Sequence, residues 1–211
     1  MKRAAFFVDG FNLYHSLLTH PRARACKWLD LRGLCEGFLQ KSNEKLERIT
    51  YFSALATWDP GKVTRHRQFI KALRNSGIED VLGEFKQKDR KCWHCKGTMS
   101  VPEEKMTDVS IAVRLLRDAY LDQFDTAFLM TGDTDLIPAI RTLRELHSDK
   151  QIVAIFPLNR VNEALKKEVH RYMRTKVERL ERHVFPESIP VPGGEAIACP
   201  ASWLPLPKPP G

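Results

Sequence analysis

Apolar and polar residues alternate along this chain in short blocks that predict strands and helices in turn. The apolar runs at 4–9, 49–55, 78–85, 127–130 and 152–156 are short and bounded by turn-forming residues, which predicts buried strands. The segments between them repeat apolar residues every three to four positions, as amphipathic helices do. The predicted helices span residues 12–19, 28–39, 62–75, 109–122, 136–147 and 162–171. This alternation favours an α/β sandwich with a mainly parallel sheet.

Three segments depart from that pattern. Residues 172–184 mix basic and apolar positions and are compatible with either a strand or a helix. Residues 86–101 form a basic insertion, for which we expect an exposed hairpin. From 186 to 211 the chain carries eight prolines without periodicity, which predicts an extended or disordered tail. The predicted boundaries are therefore a domain at 1–185 and a tail at 186–211, in which Trp203 either docks on the domain or binds a protein partner.

The insertion holds Cys92 and Cys95 in CxxC spacing, with His94 between them. A structural zinc site needs four ligands, and the sequence offers no second pair of this kind. Zinc at these cysteines is therefore not our expectation. Reduced thiols on an exposed hairpin are favoured, while a zinc knuckle and a redox pair stay open.

Composition narrows the class of protein and its partners. The chain has 211 residues, a net charge of +8 and a pI near 9.3, so one domain with a polyanionic partner such as RNA is favoured. No apolar run approaches the roughly 20 residues of a membrane span, and the start lacks the pattern of a signal peptide. Five cysteines in no regular framework fit a reducing compartment. We expect a cytoplasmic protein without membrane contact; whether it forms a homodimer stays open.

The candidate chemistry begins at residues 126–138, which predict a strand, a tight loop and a helix with Pro138 in its first turn. In an open α/β sheet such a loop lies at the carboxyl ends of the strands, where ligands bind. This loop carries Asp133 and Asp135 together with the hydroxyl of Thr131. A helix N-terminus favours negative charge, so one carboxylate is explained as a cap. Two carboxylates with hydroxyls beside them indicate more than a cap.

Two further acidic residues, Asp9 and Asp108, lie at the ends of predicted elements. The first apolar run ends at Asp9, and Asp108 lies at the start of the helix 109–122. Parallel strands that end in aspartate place their carboxylates at one edge of a sheet, where the charges repel unless a cation neutralises them. Oxygen ligands select hard ions such as Mg²⁺ or Mn²⁺. The sequence therefore predicts a magnesium or manganese site.

Three segments in this order resemble the NYN domain, a branch of the PIN-like nuclease superfamily. They are FVDGFN at 7–12, EKMTDV at 104–109 and TGDTDLIP at 131–138. The resemblance covers about residues 4–175. It implies a three-layer α/β/α sandwich with an acidic pocket for Mg²⁺ or Mn²⁺, and the activity of a metal-dependent ribonuclease.

The same resemblance implies roles for individual residues. The implied metal ligands are Asp9, Asp108, Asp133 and Asp135. Asn12 would orient a water or a phosphate oxygen, Glu104 would join the cluster through water, and Lys105 would meet the phosphate. Thr131 replaces the family's commoner serine and keeps the hydroxyl. His170 occupies a place where the family often has an aspartate, which leaves the fifth carboxylate in doubt.

An RNA-binding surface is expected on the helix 62–75 and on the hairpin. Its candidate residues are Arg65, Arg67, Lys71, Lys88, Arg90, Lys91 and Trp93. A solvated charged face is the simpler interpretation of this helix, and Trp93 could equally pack on the domain.

Other classes of function would use some of the same sequence features. A phosphatase of the haloacid dehalogenase kind needs a second aspartate two residues after the first, where Phe11 stands here. A catalytically weak or inactive RNA-binding module of the same fold, and a scaffold that acts through the tail, remain as alternatives.

Overall fold

A mainly parallel sheet of seven strands forms the centre of the structure, a computed structural model that describes residues 1–204. The strands are β1 (Lys2–Asp9), β2 (Glu44–Ala54), β3 (Glu79–Lys91), β4 (Thr98–Lys105), β5 (Thr126–Met130), β6 (Gln151–Phe156) and β7 (Arg171–Arg174). They lie in the order β4-β3-β2-β1-β5-β6-β7. Every neighbouring pair is parallel except β3 and β4, which are antiparallel. This confirms the predicted sheet type.

Helices cover both faces of the sheet. They are α1 (Gly10–Leu18), α2 (Pro21–Arg24), α3 (Leu31–Glu36), α4 (Pro60–Asn75), α5 (Thr107–Tyr120), α6 (Ile137–Leu146), α7 (Glu163–Glu168) and α8 (Val177–Glu181). Successive residues of β1 point to opposite faces, so Phe6 joins one core cluster and Phe7 the other. The first cluster packs under α1, α3 and α4, and the second under α5 and α6. The result is the expected three-layer α/β/α sandwich.

Several elements differ in length from the prediction, and the helix predicted at 162–171 ends at Glu168, because Arg171 already pairs with Val153 as the first residue of β7. The helix predicted at 28–39 shortens to α3, because the Asp30 carboxylate accepts a hydrogen bond from Gly33 N and so caps the helix just before Leu31. The strand predicted at 49–55 starts earlier, at Glu44. That buried carboxylate pairs with Arg171 at 2.9 Å, a partner distant in sequence that apolar patterning cannot reveal. For residues 172–184 both open alternatives occur, as the end of β7 and as α8.

The basic insertion is a long antiparallel hairpin. β3 runs on from the predicted strand at 78–85 to Lys91, and β4 returns beside it as far as Lys105, opposite Glu84. The hairpin was predicted to end at 101, whereas its second strand, β4, continues to Lys105, because this polar sequence has no apolar pattern that marks the end of a strand. The hairpin carries the chain out from the sheet and back to it, directly before α5.

The segment from Pro186 to Leu204 packs on the domain instead of extending from it. Two short strands, β8 (Ser188–Ile189) and β9 (Ile197–Ala198), pair with each other, and Ile189 and Ile197 are buried in the first core cluster. The Trp203 ring lies 6.4 Å from that of Trp28, so docking is the alternative that holds for Trp203. The extended tail expected from 186 is thus replaced by packed chain as far as 204, and residues 205–211 lie outside the described part.

No helix among residues 1–204 combines the length and the apolar character needed to cross a bilayer.

Four non-glycine residues among 1–204 have a positive φ, and the value is largest at Met106. Met106, at the junction of β4 and α5, has a φ of 79°, which lies in the left-handed region that side chains disfavour. We expect Met106→Gly to raise the free energy of unfolding by about 0.5–1 kcal/mol, because relief of the strain exceeds the entropic cost of glycine. Urea unfolding of the two proteins measures the difference.

Met106→Ala is the matched control for that variant. Alanine keeps the left-handed strain and removes the exposed Met106 side chain, so it should bring no gain in stability. Equal stabilisation by alanine and glycine would contradict strain as the cause.

Candidate active site

Asp9 is the buried acidic residue at the carboxyl edge of the sheet. It ends β1, and its side chain is only 4% exposed. One carboxylate oxygen accepts a hydrogen bond from Asn12 N at 2.9 Å and caps α1, while the other accepts from the Thr131 hydroxyl at 2.9 Å. Burial raises the pKa of Asp9 to about 6, and the charges of Asp133 and Glu104 add to the rise. Its charge at neutral pH is therefore only partly compensated.

The loop after β5 is fixed to Asp9 through a chain of hydrogen bonds. The Thr131 hydroxyl accepts from Asp133 N at 3.1 Å, and an Asp133 carboxylate oxygen accepts from Asp135 N at 3.0 Å. Gly132 N donates to Asn12 Oδ1 at 3.1 Å, which ties this loop to the start of α1. Asp133 thus closes a local turn, whereas the Asp135 side chain is exposed and caps no helix.

The hairpin and α5 bring two more carboxylates to the same edge. Glu104 accepts hydrogen bonds from the backbone N–H and the hydroxyl of Thr107, so it caps the first turn of α5. Asp108 follows on that turn and is half-buried. Burial raises the pKa of Asp108 to about 6, with further rises from the nearby charges of Asp133 and Asp9. A helix N-terminus accounts for one acidic group here, but not for a raised pKa.

These carboxylates surround one small cavity of about 130 Å³. It is lined by Asp9, Phe11, Asn12, His15, Glu104, Thr107, Asp108, Asp133 and Arg160. We call it the acidic pocket. Within residues 1–204, no three carboxylate, imidazole or thiol groups converge closely enough to hold a metal ion as they stand. Five of the predicted site residues share this pocket, and Asp135 lies outside its lining.

Arg160 and His15 are the pocket residues that sequence reasoning missed. Arg160 follows β6, and its backbone oxygen would lie 2.2 Å from a Cβ placed on Gly132, so only glycine allows this approach of the two loops. Burial lowers the pKa of His15, and the charge of Arg160 lowers it further. The position of Arg160 in the sequence indicated its place in the pocket, because a basic residue after a parallel strand lies at the same sheet edge as Asp9.

Two predicted residues point elsewhere. The Lys105 ammonium pairs with Glu103 at 2.9 Å and does not line the acidic pocket. Glu103 and Lys105 share one face of β4, and Glu104 lies on the other. His170 precedes β7, and its Nδ1 accepts a hydrogen bond from Ile152 N at 3.0 Å, near the amino end of β6. His170 therefore lies at the opposite edge of the sheet and cannot replace a fifth pocket carboxylate.

The predicted RNA-binding residues are distributed over α4 and the hairpin. Lys88 and Arg90 both pair with Glu103, at 3.0 and 3.4 Å, so part of the hairpin's positive charge is offset. Trp93 is 92% exposed at the tip and does not pack on the domain. The remaining candidates differ in exposure: Arg67, Lys71 and Lys91 are exposed, and Arg65 is partly buried. The RNA-binding role of this surface stays a prediction.

Cys92 and Cys95 lie at the turn of the hairpin. Cys92 N donates to Gly97 O at 2.7 Å, and Lys96 N donates to Cys92 O at 3.0 Å, which closes the turn. Backbone N–H groups of Cys95 and His94 point at the Cys92 sulfur and lower its pKa. The open alternatives for this CxxC pair, reduced thiols, zinc or redox chemistry, are not separated by this geometry.

A larger cavity of about 590 Å³ lies beside the acidic pocket. Its wall is shared at Phe11 and His15, which line both cavities. The other walls come from α1, α4, the carboxyl end of β2 and the turn at Trp203. We call it the aromatic cavity.

Comparison with known proteins places this arrangement among relatives. Residues 3–176 match the family described as NYN domain. The chain is 24% identical to the 6-hydroxy-3-succinoylpyridine 3-monooxygenase of Pseudomonas putida, over 98% of this chain and 77% of that protein. A crystal structure of a protein of unknown function from Vibrio parahaemolyticus superposes with a TM-score of 0.59 at 19% identity, covering 83% of this chain and 93% of that one. The last similarity supports the fold alone.

The raised pKa of Asp9 predicts a dependence of stability on pH. The folded pKa of about 6 exceeds the value of 3.8 for a free carboxyl, so the folded state binds the proton more tightly. Stability associated with this proton is full below about pH 3.8 and is lost as pH rises through 6. We expect Asp9→Asn to raise the free energy of unfolding on the order of 2 kcal/mol at pH 8, with a smaller gain towards pH 4. Urea unfolding at both pH values measures it.

Asp149→Asn serves as the control, because Asp149 is an exposed carboxylate in the turn before β6. Its effect should be small at both pH values. An equal loss of stability at pH 4 and pH 8 in Asp9→Asn would mean that its hydrogen bonds outweigh the cost of its buried charge.

Gly132→Ala tests the close approach of the two loops. The new Cβ would lie 2.2 Å from Arg160 O, so one loop must shift, at a cost of about 1–3 kcal/mol of unfolding free energy. Gly97→Ala is the control, since a Cβ there would meet only the Cys95 sulfur, at 3.4 Å. Equal stability of both variants and the wild type would refute the steric requirement.

Proposed function

The chain belongs to the NYN domain family, and from this premise we propose that it is a metal-dependent ribonuclease that hydrolyses phosphodiester bonds of RNA. The observation that carries the proposal is the convergence of Asp9, Glu104, Asp108 and Asp133 on one pocket at the carboxyl edge of the sheet. Family and fold are nuclease-related; the reaction, the metal and the substrate are the proposed part.

The ligand chemistry of the acidic pocket fits Mg²⁺ or Mn²⁺, and its carboxylates would have to draw closer together to hold the ion. All four acidic groups offer oxygen, and two of them, Asp9 and Asp108, have pKa values raised to about 6 by burial and by mutual repulsion. Such groups gain stability when a cation neutralises them. Asp9, Asp108 and Asp133 would hold the ion, with Glu104 reaching it through water. Asp135, outside the lining, would act through its charge alone.

A divalent ion held there would lower the pKa of a bound water and offset charge on the phosphate. The chain's own residues supply the rest. Asn12 lines the pocket and uses its Oδ1 for Gly132 N, so its amide NH₂ would be the group that donates to a phosphate oxygen. Arg160 lines the pocket and its charge acts on His15 there, so its guanidinium would hold the same phosphate in place of Lys105, which pairs with Glu103 outside the lining.

The reaction itself is an in-line hydrolysis. A water would attack the phosphorus and give its proton to a carboxylate of the pocket, while the bond to the 3′-oxygen breaks and that oxygen takes a proton from solvent. The products are a 5′-phosphate and a 3′-hydroxyl.

The basic residues outside the pocket would gather the RNA backbone. Arg65 on α4 lies in the wall of the aromatic cavity, beside the acidic pocket. Lys91 and Trp93 on the hairpin would extend the contact, since Trp93 presents an open ring on which a base can stack.

A second candidate is the oxidation of a small aromatic compound. It is favoured by the similarity to a pyridine monooxygenase and by an apolar cavity next to the acidic pocket. Oxygen uptake with NADH and a hydroxypyridine as probes would test it. Uptake that depends on both probes would replace the nuclease proposal.

Cleavage by Asp133→Asn tests the ribonuclease directly. The substitution removes a charge and little volume, so we expect the fold to persist and cleavage of mixed single-stranded and structured RNA to fall about 100-fold or more. The assay is run with Mn²⁺, Mg²⁺ or EDTA. Wild-type cleavage should depend on the metal.

Asp149→Asn again provides the matched control and should cleave as the wild type does. A second readout is the thermal midpoint, which Mn²⁺ should raise in the wild type but not in Asp133→Asn. RNA binding without cleavage under any metal would favour the alternative of an inactive RNA-binding module of the same fold. Full activity of Asp133→Asn would refute the metal site.

A further inference from the structure

The aromatic cavity lies next to the acidic pocket, so it can receive the neighbouring part of a substrate whose phosphate is bound in that pocket. The two cavities share the side chains of Phe11 and His15, which both belong to α1. At about 590 Å³ the aromatic cavity has the size of a ligand site for a nucleotide-sized molecule. A phosphate in the acidic pocket would therefore have its sugar and base within reach of this cavity.

Rings form much of the cavity wall. Trp58 contacts Phe85 edge to face at 4.5 Å, and Phe85 contacts Phe11 in the same way at 5.4 Å. Trp203 also lines the cavity, and its ring centroid lies 6.1 Å from that of Phe69. Trp58 is 42% exposed at this cavity, so part of its ring is open to a ligand, and a flat heteroaromatic ring can stack on an open aromatic face.

Two polar side chains are set into this apolar wall. The Tyr51 hydroxyl lies 3.3 Å from His66 Nε2. Burial lowers the pKa of His66 to about 4 and raises the pKa of Tyr51 to about 12, so both groups are neutral near pH 7. Gly10 permits this arrangement, because a Cβ there would lie 2.6 Å from the Tyr51 ring. Neutral donors and acceptors suit an uncharged base.

The charges around the cavity have one sign. Lys27, Lys62 and Arg65 line it, and among the described residues no carboxylate does. Lys62 is partly offset by Asp59, 3.4 Å away. The cavity therefore suits a neutral aromatic ring that carries anionic groups outside, as a nucleotide within RNA does.

We propose that the aromatic cavity is a base-binding subsite, which takes one unpaired nucleotide of RNA next to the phosphate held in the acidic pocket. This inference rests on the proposed ribonuclease function and adds a substrate class to it. A base in a duplex is paired and stacked, and drawing it out costs a few kcal/mol. The cavity thereby selects single-stranded RNA, loops or bulges.

The binding of short single-stranded RNA in EDTA tests the subsite without any cleavage. A series of fluorescent octanucleotides carries one abasic ribose, moved along the strand. We expect an abasic ribose at one position to weaken binding about 10-fold, because stacking of one base is lost there. The other positions should have smaller effects.

Ser202→Phe and Ala201→Phe form a matched pair of variants. Both residues are exposed and lie in the same turn, but Ser202 lines the cavity and Ala201 does not. Ser202→Phe should fill the cavity, weaken the binding of intact RNA about 10-fold and remove the abasic effect. Ala201→Phe should leave both unchanged. Trp58→Ala removes a stacking ring near the rim and should act like Ser202→Phe.

The outcomes distinguish a failure of the base subsite from a failure of the ribonuclease function. Equal binding of all abasic RNAs, or equal behaviour of Ser202→Phe and Ala201→Phe, overturns the base subsite even if the protein cleaves RNA. Loss of cleavage in every metal overturns the ribonuclease while a position-specific abasic effect still stands. Saturable binding of nicotinate that Ser202→Phe abolishes, with RNA binding unaffected by that variant, would assign the cavity to a free aromatic acid instead.

Discussion

The buried carboxylate of Asp9 is the interaction on which the rest of the site depends. It caps α1 through Asn12 N and accepts the Thr131 hydroxyl, so one side chain joins the end of β1, the start of α1 and the loop after β5. A buried charge with two hydrogen bonds stays uncompensated, which the raised pKa expresses. The same group that positions the local structure is thus the one with most to gain from a cation.

The β3–β4 hairpin and the start of α5 supply the other carboxylates of the pocket. The β3–β4 hairpin leaves the sheet beyond Gly83 and returns antiparallel, so that Glu104 and Asp108 reach the edge already occupied by Asp9. The short cap between Glu104 and Thr107 then fixes where α5 begins. Because Arg160 comes from the loop after β6, pocket residues arrive from four separate stretches of the chain. Positive charge enters among the carboxylates only through that last loop.

Local pattern was sufficient for the parallel strands other than β7, which it left open between strand and helix. It also placed Asp9, Asp108 and Asp133, because each follows a strongly apolar strand or opens a strongly periodic helix. It failed where polar residues find distant partners. β4 is paired through its backbone and carries alternating charges, and Glu44 is buried against Arg171, so neither has an apolar signature. Lys105 was misplaced for a related reason, since its position on one face of β4 is visible only once that strand is known. The prolines from 186 on suggested an unpacked tail, but Ile189 and Ile197 are buried in the first core cluster. The Trp203 ring packs near those of Trp28 and Phe69.

Because residues 186–204 pack into only one of the two core clusters, the two clusters can be completed at different times during synthesis. The core cluster under α5 and α6 needs residues only as far as Val169. The cluster under α1, α3 and α4 waits for residues up to Trp203, and the Trp28 indole finds its acceptor, Pro186 O, at 2.8 Å only then. While the chain emerges from the ribosome, one side of the sheet is complete and the other still exposes Trp28 and Phe69. The aromatic cavity, closed by the last described turn, is accordingly among the final features of the molecule to form.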